Sequence, residues 1–122
     1  MPFTYEIDSD AGITLVVADG EVTHAERLTA VHAWFDDPRH RPGMSLLCDF
    51  SAATTTPTHE ELLELVEVFR LRPQAAPRRI AVVSSRLVTF GVARQFQGLL
   101  DDAFELAGFA DRDAGREWLR GA

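Results

Sequence analysis

Lysine is missing from this chain of 122 residues, and all twelve basic side chains are arginine. That absence excludes a Schiff-base lysine and the lysine of a phosphate-binding loop. Cysteine is nearly missing too. Cys48 stands alone, so no internal disulfide can form and nothing argues for an oxidising compartment. No apolar run approaches the roughly 20 residues needed to cross a bilayer. The start, Met1-Pro2-Phe3-Thr4-Tyr5-Glu6, lacks the basic segment and apolar block of a signal peptide. The cytoplasm is therefore the expected compartment. Excess positive charge is lacking as well: the net charge of −7 disfavours non-specific binding to nucleic acid or to anionic membranes.

What is present suits a single domain over residues 1–122, with 46% apolar and 25% charged side chains and enough length to build a core without staples. The charge is uneven. Arg70, Arg72, Arg78, Arg79, Arg86 and Arg94 fall in one stretch that contains no acid. They either keep the ends of a buried strand soluble or form an anion- or partner-binding patch.

Phe3–Ile7 alternates apolar and polar residues, and Ile13–Val17 is rich in β-branched ones; the Asp/Gly segment between them predicts a hairpin. Thr23-His24-Ala25-Glu26 has capping-box spacing and opens a helix with a stripe of Leu28, Val31 and Phe35. Leu46–Phe50 is a short continuous apolar run, as in a strand covered on both faces. A second capping box, Thr58-His59-Glu60-Glu61, opens a helix with Leu62, Leu65, Val66 and Phe69 inward; Pro73 and Pro77 close it. Ile80–Val83 is another buried strand. Ser85 is placed to cap a helix from about Leu87 to Asp102, with a row of Val88, Val92, Phe96 and Leu99. Gly91 within it costs about 1 kcal/mol relative to alanine and points to close backbone packing. Phe104–Leu106 reads as a last strand, and Asp111 opens a final helix with Ala114, Trp118 and Leu119 inward. The expected fold class is α/β: a single mixed, mostly parallel five-stranded sheet with four helices in the order β-β-α-β-α-β-α-β-α.

This order, the strand ending in Leu47-Cys48-Asp49-Phe50-Ser51, and the run Ala81-Val82-Val83-Ser84-Ser85 resemble the STAS-like superfamily, which includes the bacterial anti-sigma factor antagonists such as stage II sporulation protein AA. The chain is most similar to small stand-alone bacterial relatives of unassigned function, in which a segment like Phe90-Gly91-Val92-Ala93-Arg94-Gln95-Phe96 and a terminal Ala114…Trp118-Leu119 recur. The resemblance implies a STAS-like, non-enzymatic module. In the antagonists a phosphorylatable serine begins the helix after the Asp-Leu-Ser strand; counting from Asp49 it falls on Thr58. Here Thr58 lies in Thr56-Pro57-Thr58-His59-Glu60, without the acid and the Ser-Gly of the antagonists. Thr58 is thus a possible phosphosite by resemblance and a helix cap by its own spacing.

Little catalytic machinery is legible. His59-Glu60 begins like a zinc-binding helix, but position 63 is leucine; His24 and His32 are more than two turns apart, and His40 lies alone in a loop. No metal and no cofactor are expected. Cys48, among Leu46, Leu47 and Phe50, reads as a small core residue rather than a nucleophile. Asp49 either bonds the amides of a neighbouring loop or lines a ligand crevice. Open parallel sheets bind ligands beyond the carboxyl ends of their strands, an edge that gathers Asp49, Ser51, Thr58, Ser84, Ser85 and Arg86, with Arg94 two turns further on. Amides and dipole at the start of the third helix, with an arginine, are equipped to hold an anion there. The aromatics Trp34, Phe90, Phe96, Phe104, Phe109 and Trp118 either fill one core or line a pocket or dimer face. Two functions follow as expectations: a module that binds a protein partner, itself included as a homodimer, or a carrier or sensor of a small apolar or anionic ligand.

Overall fold

Both capping boxes form. Thr23 Oγ1 accepts from the Glu26 amide at 3.2 Å, and Glu26 returns a carboxylate oxygen to the Thr23 amide at 2.9 Å. Thr58 and Glu61 repeat the arrangement at the same two distances. Each box satisfies amides that the first helical turn leaves without partners. The boxes open α1 (His24–Asp36) and α2 (His59–Leu71). The computed structural model describes residues 2–121. Around these helices the chain runs β1 (Phe3–Asp8), β2 (Ile13–Gly20), α1, β3 (Ser45–Ala53), α2, a short 3-10 turn (Pro73–Ala75), β4 (Arg79–Val83), α3 (Leu87–Leu99), β5 (Glu105–Phe109) and α4 (Arg112–Arg120). No helix among the described residues is long and apolar enough to cross a membrane.

The strands form one sheet in the order β1-β2-β3-β4-β5. β1 and β2 are antiparallel, joined by a turn in which Gly12 adopts φ +69°, a conformation that favours glycine. The remaining pairs are parallel. The expected α/β sheet is therefore present. Leu46 lies opposite Ile80, Leu47 opposite Ala81, Cys48 opposite Val82 and Asp49 opposite Val83. The two apolar runs are neighbours, pointing the same way.

From β2 to β5 the sheet grows in one direction. Crossovers of one hand then bring α1, α2 and α3 to the same face. On that face Leu46, Cys48, Ile80 and Val82 meet Val31, Trp34, Leu65 and Phe69. α4 has no further strand to serve and folds back onto the other face, where Leu119 and Trp118 pack with Leu47, Ala81 and Val83. Leu47 and Ala81 are wholly buried, as strands clothed on both faces require.

Five local expectations change. No side chain caps α3: Arg86 is its N-cap residue, and the Ser84 hydroxyl, not that of Ser85, accepts from the Arg86 amide at 3.1 Å. α3 stops at Leu99, where Asp101 and Asp102 take left-handed φ values of 57° and 52°. Of the row read from sequence, Val92 and Phe96 do turn toward the sheet, but Val88 is exposed, and Thr89, Phe90 and Ala93 complete the inward face. In α4 it is Gly115 that is buried while Ala114 faces solvent. A Cβ at Gly91 would meet nothing within 4 Å, so this glycine marks no close approach; the Phe90 ring instead covers Gly108 of β5, where a Cβ would lie 2.6 Å from Cε1.

Candidate functional site: an apolar cavity under the helical layer

The strand tips expected to form a ligand rim are largely engaged with one another. Asp49, at the end of the buried part of β3, accepts from the Ser51 amide at 3.0 Å and from the Ser51 hydroxyl at 2.5 Å. Its second oxygen meets Arg112 Nε at 2.5 Å. Burial opposes ionisation of Asp49, but the Ser51 hydroxyl, the Arg112 guanidinium and the Ser51 amide outweigh it and hold the carboxyl below its ordinary range. Ser84 is buried, and its amide donates to the Phe109 carbonyl at 3.2 Å. Arg86 Nη1 donates to the Ala53 carbonyl at 3.1 Å. Ser85 and Arg94 are exposed, with no side-chain hydrogen bond or ion pair among the described residues, and Thr58 caps α2. Asp49 and Ser51 are thus brought together, Arg86 is tied to the end of β3, and Arg94 stands apart on α3. Arg112 is the partner that sequence spacing did not reveal, because it is 63 residues from Asp49.

A different feature dominates the sheet's three-helix face. Between sheet and helices lies a cavity of about 160 Å³. Its floor is Val16, Leu46, Cys48, Ile80 and Val82; Val31 and Trp34 of α1, Leu62, Leu65 and Phe69 of α2, and Val92, Ala93 and Phe96 of α3 supply the walls. Phe69 touches Phe35 and Phe96 edge-on at centroid distances of 5.1 and 5.0 Å, and Phe96 continues to Phe104 at 6.0 Å. Trp34 and Phe104 belong to the core, Trp34 and Phe96 border the cavity, and Phe109 pairs with Trp118 on the opposite face at 5.6 Å. The cavity exists because α3 sits loosely. Apolar over most of its surface, it fully buries only Thr89. Cavities of roughly this size lined by aliphatic and aromatic side chains stay dry and admit benzene-sized molecules.

Polar groups gather at one end. Thr55, Thr56, Thr89 and Arg27 line the cavity where β3 finishes, and Thr55 and Thr56 are half-exposed. Arg27, only 6% exposed, donates to the Val22 carbonyl at 3.2 Å and lies 3.5 Å from Glu61 Oε1. Desolvation lowers the Arg27 pKa, against the opposing pull of Glu61. At the other end the Trp34 Nε1–H is buried without a hydrogen-bond partner among the described residues. Arg27, Val31 and Trp34 recur at i, i+4 and i+7, one face of α1; that spacing is the signal that could have disclosed this wall, although a charged residue is not ordinarily read as core.

Acid–base and metal chemistry are poorly served. The Cys48 thiol is buried and pushed up to about 12 by desolvation alone, the opposite of what a nucleophile needs. His24 Nε2 lies 3.0 Å from Glu64 at the surface, and no group of three or more metal-ligating side chains occurs among the described residues.

Sheet order, helix placement and covered strands define a mixed α/β fold of the SpoIIAA-like kind. An uncharacterised DUF3478-family protein with a SpoIIAA-like fold, from Shewanella loihica PV-4, superimposes with a TM-score of 0.66 over 96% of this chain and 91% of that one, at 16% identity. That likeness is one of fold. No protein-family profile matches the chain, and no curated protein matches it.

Proposed function

We propose that this chain is a non-enzymatic SpoIIAA-like module that carries or senses a small apolar molecule in the space between its sheet and its three-helix layer. The observation that carries this reading is the 160 Å³ cavity, whose walls are almost wholly aliphatic and aromatic. Folded interiors ordinarily close such gaps, because an unfilled cavity costs roughly 24 cal/mol for each Å³. A ligand recovers the missing dispersion contacts. Native mass spectrometry of gently purified protein, with thermal shifts across a panel of apolar compounds, tests the reading. A consistently empty protein unmoved by the panel overturns it.

A second reading, binding of a protein partner or of a second copy, draws on Leu87 and Val88. These neighbours at the start of α3 are 88% and 48% exposed. Light scattering behind size-exclusion chromatography reads self-association directly, and a strict monomer at high protein concentration removes the homodimer form.

A further inference from the structure

Each parallel βα unit places the start of its helix at the carboxyl edge of the sheet, so α1, α2 and α3 all turn their N-termini toward the end of the cavity that holds Arg27. Their dipoles favour an anion at that end, against the first-turn acids Glu26, Glu60 and Glu61 of α1 and α2. α3 strengthens the effect, since no side chain caps its first turn. Arg27 adds a full charge that is nine-tenths buried and only loosely paired. A guanidinium carries five N–H donors; here one meets the Val22 carbonyl at 3.2 Å, while the carboxylate 3.5 Å away already accepts from the Thr58 amide at 2.9 Å. A buried cation of this kind gains strongly from a further anionic acceptor. From Arg27 to Trp34 the cavity wall extends about 10 Å along α1 and is apolar beyond the guanidinium.

We infer that the cavity's ligand is an amphiphilic monoanion, an apolar carboxylic acid whose tail lies along Val31 and Trp34 and whose carboxylate meets the Arg27 guanidinium at the strand-end mouth. This deepens the carrier reading and rests on it. Glu61 is the competitor: the incoming carboxylate must share Arg27 with it, so neutralising Glu61 favours the ligand.

Trp34 lines the cavity while Trp118 packs on the far face, so a W118F variant leaves the indole of Trp34 as the fluorescent reporter. Titration with octanoate, octanol and octylammonium at neutral pH separates tail from head. Octanoate should bind about tenfold tighter than octanol, the usual size of one charged hydrogen bond, with octylammonium weakest. In an R27Q background octanoate should fall to within about threefold of octanol, with octanol little changed. Should R27Q fail to fold, E61Q decides, because glutamine maintains the capping box; octanoate must then bind more tightly than to the W118F parent, and unchanged affinity overturns the inference. Octanol equal to or tighter than octanoate, or a preference for octylammonium, overturns the anionic head and leaves the apolar carrier standing. Failure of all three probes to bind removes both.

Discussion

Asp49, at the end of the buried part of β3, and Arg112, at the first turn of α4, are joined by an ion pair of 2.5 Å, which fastens to the sheet the one helix that packs on this face among the described residues. The carboxylate is buried and the guanidinium is 42% exposed, so the two ends are unequal. D49A, which removes the acceptor of three hydrogen bonds, is expected to destabilise the fold by about 2 kcal/mol. R112A should cost no more than about 1 kcal/mol, since water replaces much of what an exposed arginine contributes. Urea midpoints of the two variants measure the difference. Because the Asp49 carboxyl lies below its ordinary 3.8, its contribution is complete above that value and disappears as pH falls through the lowered one. The acid limb of the stability curve should accordingly flatten in D49N.

Cys48 should be inert while the protein is folded. Its thiol is pushed from an ordinary 9.0 up to about 12, so the folded state disfavours the thiolate. Stability from this group is complete below pH 9.0 and is lost as pH rises toward about 12. Thiol reagents at pH 8 should label the chain at the rate at which it opens, and an apolar ligand should slow that labelling further, since Cys48 forms part of the cavity floor. Rapid stoichiometric labelling of native protein would contradict this placement.

Filling the cavity should separate stability from binding. Ala93 projects from α3 onto the cavity, and A93L supplies three further carbons to an under-filled space. The variant is expected to gain about 1 kcal/mol in the absence of ligand and to lose uptake of apolar probes. A variant that is stabilised yet binds as well as the parent would place the ligand elsewhere.

Two helical glycines should respond in opposite directions. A Cβ at Gly91 meets open space, so G91A is expected to stabilise by about 0.5–1 kcal/mol through helix propensity. At Gly115 a Cβ would stand 2.9 Å from Leu47 Cδ1 and 3.4 Å from the Ala81 Cβ. Leu47 is wholly buried and has little room to yield, so G115A should cost about 1–2 kcal/mol as α4 is pushed off the sheet. Thermal melts of the pair check both signs.

T58A should lower stability by about 1 kcal/mol, the usual contribution of an N-cap hydroxyl, with T58S nearly neutral. Melts of the unmodified protein read this directly, and any phosphorylation experiment at Thr58 must be compared against it.

Much of the fold was legible because its signals are local. The two capping boxes started α1 and α2 where they were read, and Leu62, Leu65, Val66 and Phe69 are all buried as their spacing required. The same method misjudged α3. Of the row read there, Val92 and Phe96 do border the cavity; Val88 does not, because the inward face runs through Thr89, Phe90 and Ala93, and a threonine is not ordinarily read as core. At the rim, Asp49 and Ser51 were legible as a pair near a strand end; Arg112 was not, because only the return of α4 beneath the sheet brings it there.

The amino-acid order by itself determined which segments are strands and helices, where two of the helices begin, and that Leu46–Phe50 and Ile80–Val83 would be clothed on both faces, since each follows from neighbours a few residues apart. Only the tertiary structure decided that three helices share one face, that the third lies too loosely to fill the space beneath it, and that Arg27 closes the end of that space. A cavity is the difference between the volume enclosed by distant elements and the volume of the side chains they turn inward. No window of sequence contains both quantities.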